Sequence, residues 1–140
     1  MGIVWAFAAA IMWGLVYTLD QRILLVLPPA TLLFIDSLLT AVLVLPLAIF
    51  QGINFTALLA SSSGTRFLIL SSLDLALLAN FSIFSGIRLL GASTASILEI
   101  GYPFFVVVFS YLILGAKPSP MVVAGAILIF AGSAIVIAYR

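Results

Sequence analysis

From Pro120 to Tyr139 the chain runs for twenty residues without a charge, and four other stretches are nearly as apolar. A helix that crosses the hydrocarbon core of a bilayer needs about 20 predominantly apolar residues. Five such runs in one short chain therefore limit the fold more than any other feature. They lie at about 3–25, 30–50, 67–90, 93–114 and 120–139. The prediction is an all-α membrane protein with five transmembrane helices, because a helix satisfies its backbone polar groups within its own segment. Pro28-Pro29 ends the first run. The interval QGINFTALLASSSGTR, 51–66, is polar enough to leave the membrane, and its INFTALLA portion is a candidate for a short interfacial helix. The remaining connections are short, so neighbouring spans should be antiparallel. Residues 1–140 form a single transmembrane domain with no soluble part. The first run has no basic flank before it and is longer than the core of a signal peptide, so it reads as a retained span.

Composition removes most other function classes. Of 140 residues, 66% are hydrophobic and 6% charged, against about 25% charged in soluble domains. A net charge of +1 offers no electrostatic footprint for nucleic acid. With no cysteine and no histidine, disulfides, thiolate chemistry and nearly all transition-metal ligand sets are gone. No metal, cofactor or enzyme is expected, and the chain reads as a multi-pass protein of the cell membrane.

The few basic residues barely distinguish the two sides of the membrane. Five antiparallel spans put the N-terminus, Arg66 and Lys117 on one side and Arg22, Arg88 and Arg140 on the other. Orientation follows the excess of Lys and Arg in cytoplasmic loops. Here the excess is close to nil, which permits insertion in both directions or a choice made by other means.

Each acidic residue then needs a reason. An Asp or Glu at a helix centre costs about 2.5–3.5 kcal/mol on insertion scales. Glu99 lies about 9 Å into the fourth span, on a helical face with Ala95, Ser96, Tyr102, Pro103 and Ser110. Pro103 has no N–H, so a helix running through it deprives the Glu99 carbonyl of its usual donor. A carboxyl group and a freed carbonyl at one level suit a cavity lining, or a kink packed against another helix. Asp74 shares a face with Ser71, Ser82 and Ser85, and Asp36 has Ser37 and Thr40 beside it. Both pairs of surroundings fit either a polar lining or a packing face. Asp20 follows Trp13 and Tyr17 on one face. It either reaches the headgroup level beside Arg22 or joins the two aromatics in holding a cation.

If the helices face one cavity, its lining is acidic. No lysine or arginine lies deep in a span, which disfavours phosphate-bearing substrates that need basic clamps. Carboxyl groups at such depth are suited to trading a proton for a substrate. In the fifth span Gly125 and Gly132, with Ala124 and Ala131, recur at seven-residue spacing. That flank predicts close helix packing.

Trp13-Gly14, Pro28-Pro29, Arg88 followed by LLGASTAS, Pro103, Gly115 and GAILIFAG (125–132) occur in that order. In this the chain resembles a single repeat of the EamA type in the drug/metabolite transporter superfamily, over essentially its whole length. The resemblance implies a five-helix half that pairs with a second, inverted half into a ten-helix transporter, with a central cavity lined by the first four helices of each. A flat charge balance is what an antiparallel homodimer requires. Asp36 stands where many members carry a basic residue, which moves the cavity towards negative charge. Ala116-Lys117 replaces the glutamate that often follows the glycine.

The expected function is a secondary active transporter of small cationic or zwitterionic metabolites or drugs, an antiporter coupled to protons by alternating access. Glu99, then Asp74 and Asp36, are the candidate proton or substrate carriers. Asp20, Trp13, Tyr17, Ser96 and Tyr102 are candidate contacts, and Pro103 is the helix break. Two alternatives remain: a permease for neutral amino acids or similar metabolites, and a non-transporting membrane subunit that pairs with another half.

Overall fold

The computed structural model describes residues 1–53 and 55–139. Asn54, in the candidate interfacial stretch, and Arg140, in the charge tally, lie outside the described residues. The described chain is helical, in the order α1 (Gly2–Ile23), α2 (Pro29–Phe50), α3 (Phe55–Ala60), α4 (Ser63–Leu90), α5 (Ala92–Glu99), α6 (Tyr102–Leu114) and α7 (Pro120–Ala138). By length and composition five segments can cross a membrane: α1, α2, α4, α5 with α6, and α7.

Local chemistry sets the helix ends. Pro29 occupies the first turn of α2, where its missing N–H costs nothing, and the Pro28 carbonyl accepts from Thr31 and Leu32 at 3.0 and 3.1 Å. Gly115 closes α6 at φ +63°, and the Gly115 and Ala116 amides return to the Tyr111 and Ser110 carbonyls, both at 3.1 Å. Only glycine takes that conformation without strain, which accounts for a glycine at the end of the fourth apolar run. Ser119 opens α7 by accepting from the Val122 amide, with Pro120 in the first turn.

The fourth apolar run is not one helix. It breaks at Ile100-Gly101 into α5 and α6, with Pro103 in the first turn of α6. The reason lies in Pro103, which has no amide to offer Glu99 and whose ring crowds the preceding turn. The expected face from Ala95 to Ser110 is therefore divided between two helices. Along α4 the start comes at Ser63, four residues before the expected Phe67.

The chain separates into two compact units, Met1–Gln21 with Gly86–Arg140, and Arg22–Ser85. In the first, α5 and α6 both pack against α7. Its buried residues are mostly small: Ala92, Ala95, Gly101, Ala126 and Ser133, with Ile87 and Asp20. Lipid tails are as apolar as leucine, so helices in a bilayer associate through close packing, which small side chains permit. Phe104 and Phe105 complete the α6–α7 contact against Phe130, with ring centroids 4.8 and 5.9 Å apart. The second unit holds α2, α3 and most of α4, with Leu24, Leu32 and Phe84 buried. Its polar groups are largely spent locally. Asn80, Ser82 and Ser85 each donate to the carbonyl one turn back, at 2.9, 2.7 and 2.8 Å.

Candidate functional site

Four of the sequence-predicted residues meet in the first unit. The Tyr17 hydroxyl of α1 has the Glu99 carboxyl as its hydrogen-bond partner, and Asp20 and Tyr102 lie within electrostatic reach of the same hydroxyl. Trp13 joins from the turn below, its ring centroid 5.4 Å from that of Tyr17 and tilted by 47°. Tyr17 and Asp20 are three residues apart and so share a face of α1. That face is turned towards the point where α5 ends and α6 begins.

Burial differs sharply among the members. Asp20 is 5% exposed. Tyr17 and Glu99 are half-buried, while Trp13 and Tyr102 are 51% and 59% exposed. The site thus has a buried acid behind, an acid–phenol pair in the middle, and two open aromatic faces.

The helix break contributes fixed partial charges. Glu99 is the last residue of α5, and the final carbonyls of a helix carry about half a negative charge between them. Broken membrane helices use such ends to hold cations or protons. Tyr102 opens α6 and therefore stands at the opposite, positive end of the next dipole. No lysine or arginine occurs within α5, α6 or α7. Two carboxyl groups, the negative end of the α5 dipole and aromatic rings make an arrangement that attracts positive charge.

The remaining candidates fall elsewhere. Asp36 (half-buried, on α2) and Asp74 (exposed, on α4) belong to the second unit. Asp74 lies eleven residues into α4, about 16 Å from its start. The Ser96 hydroxyl donates to the Ser93 carbonyl of its own helix at 3.1 Å, so it enters the site at most as an acceptor. Gly125 and Gly132, on the flank expected to pack, have nothing within 4 Å of where a Cβ would stand. The packed residues of α7 are one position further on, at Ala126 and Ser133.

Two contributors were not singled out from the sequence. The Gln21 Oε1 of α1 accepts the Ala92 amide at 2.7 Å and caps α5, whose preceding residue Gly91 has no side chain to do so. The Ser133 hydroxyl of α7 lies 2.7 Å from the Ile97 carbonyl and 3.2 Å from that of Ile129. Each had a weak signal. Gln21 is an amide at the end of an apolar helix, and Ser133 is the one hydroxyl between Pro120 and Ala138.

The profile of the EamA-like transporter family matches residues 1–138. No characterised protein and no solved structure matches the chain.

Proposed function

The chain belongs to the EamA-like transporter family, a membrane-transporter family of the drug/metabolite superfamily, and on that premise we propose that it moves small cationic or zwitterionic metabolites or drugs in exchange for protons. The observation that carries this reading is the meeting of Tyr17 with Glu99 beside Asp20, Tyr102 and Trp13. Glu99 is the central carrier: it holds a proton or a cationic group but not both, so loading one releases the other. Tyr17 orients its carboxyl group, and Trp13 and Tyr102 offer ring faces to the cation. Asp36 and Asp74 are further candidate carriers on the second unit. Two copies in opposite orientations supply the inverted halves that alternating access uses. An integral protein of the cell membrane, working as an antiparallel homodimer, fits this scheme.

The test is flux in liposomes that carry a pH gradient, with tetraethylammonium and a panel of organic cations as probes. Glu99→Gln should abolish the dependence of flux on the gradient while the protein still assembles. Gradient-dependent flux that persists in Glu99→Gln would remove Glu99 from the role.

A further inference from the structure

The break in the fourth span leaves carbonyls without their usual donors. In an uninterrupted helix the Gly101 amide would bond to the Ile97 carbonyl. Here it bonds instead to Leu98, at 3.3 Å, while the Ile100 amide keeps its helical partner Ser96 at 2.9 Å. The Ile97 carbonyl is taken by Ser133, whose hydroxyl sits 2.7 Å away and is 5% exposed as a residue. An orphaned carbonyl in so apolar a setting would be costly, so this hydroxyl replaces the missing amide.

At its other end α5 is held by Gln21, which accepts the Ala92 amide. A helix of eight residues makes few hydrogen bonds of its own and depends on its surroundings for its position. It is therefore fixed at both ends by side chains of other helices, α1 at the start and α7 at the finish. Glu99 lies two residues beyond Ile97, and Gly101 faces α7 with Ser133 Oγ and Phe130 Cδ2 at 3.6 Å from the position of an added Cβ. Those α7 atoms stand at ordinary contact distance, and the tight neighbour of an added Cβ is the Leu98 carbonyl oxygen at 3.3 Å.

We propose that Ser133 is a positioning residue for Glu99: by supplying the donor at Ile97 it sets where α5 ends and hence where the Glu99 carboxyl meets Tyr17. The same hydroxyl also touches the Ile129 carbonyl of its own helix at 3.2 Å. This positioning role rests on Glu99 as the group that exchanges protons, and its test needs no substrate.

The experiment is the pH profile of Glu99 modification by dicyclohexylcarbodiimide in membranes, quantified by mass spectrometry of the Glu99 peptide. Ser133→Ala should displace the profile by about half a pH unit or more, a threefold change in proton affinity. Ser133→Thr, which keeps the hydroxyl, should restore it. If Ser133→Ala is not recovered in membranes, Ser133→Cys, with a weak donor of similar volume, serves in its place. A profile identical to that of the parent chain in the recovered variant overturns the proposal, whatever the flux measurements give. Gradient-independent flux of the parent chain would instead overturn the transport role of Glu99 and leave the displacement to be read separately.

Discussion

Gln21 and Ala92 are joined across seventy-one positions of the chain by a 2.7 Å hydrogen bond from the Ala92 amide to the glutamine oxygen. The bond does for α5 what a capping serine or aspartate does in most helices, but from a different helix. Gly91, at φ +82°, takes the turn and leaves the cap to its neighbour, with the Gln21 side chain 3.7–3.9 Å from where its own Cβ would be.

Gln21→Ala should therefore destabilise the first unit by about 1 kcal/mol, the usual worth of a helix cap. Hydrogen exchange of the amides at 92–95 should rise by a factor of about five, since each 1.4 kcal/mol is tenfold. Unchanged exchange there would mean that the cap holds nothing.

Glycine substitutions should separate by position rather than by helix. At Gly101 a new Cβ meets the Leu98 carbonyl oxygen at 3.3 Å, and Gly101→Val should cost about 1–3 kcal/mol by overpacking. At Gly125 nothing lies within 4 Å, so Gly125→Ala should be neutral or stabilising by up to about 1 kcal/mol within one chain. Thermal melting in detergent, below the concentration at which copies associate, measures both.

Tyr17→Phe keeps the ring beside Trp13 and removes only the hydroxyl that Glu99 accepts from. A loss of about 1 kcal/mol, roughly fivefold, is expected in the Glu99-dependent part of flux. Trp13→Leu should instead raise the concentration of organic cation needed for half-maximal flux, because it removes a ring face and not a proton contact. Equal effects of both changes on both quantities would argue against this division of roles.

Orientation can be measured cleanly because the chain has no cysteine. A single cysteine appended after Arg140 should be labelled to about one half by a membrane-impermeant maleimide in intact cells, and fully after permeabilisation, on the near-equal charge balance of the two sides. Labelling of all or none of the copies would indicate one orientation and exclude the antiparallel homodimer.

How much of this is legible in the residues follows from the range of the interactions. The spanning helices were written in runs of apolar side chains, a local property, and the glycine and proline punctuation placed their ends. Pro103 announced a disturbance near Glu99 for the same reason, since a missing amide acts on a carbonyl four residues away. The extent of the disturbance was not legible. The carbonyl freed at the break, that of Ile97, finds its donor in Ser133, thirty-six positions away. Glu99 and Tyr17 were each conspicuous, one as a rare charge and the other as an aromatic beside Asp20, yet nothing in either neighbourhood joins them. Gln21 and Ser133 are ordinary as residue types and matter only through partners distant in sequence. The seven-residue spacing along α7 was real, but the packed residues turned out to be Ala126 and Ser133, one step round the helix from the glycines.

The hydroxyl at Ile97 also imposes an order on biosynthesis. Residues 92–114 are made before Ser133, and α5 alone, about 12 Å long, is too short to cross the bilayer. The two halves of the fourth span must enter the membrane together, before α7 can bring its hydroxyl to Ile97. The fold of the first unit is therefore completed backwards, when a later helix arrives to fix the shape of an earlier one.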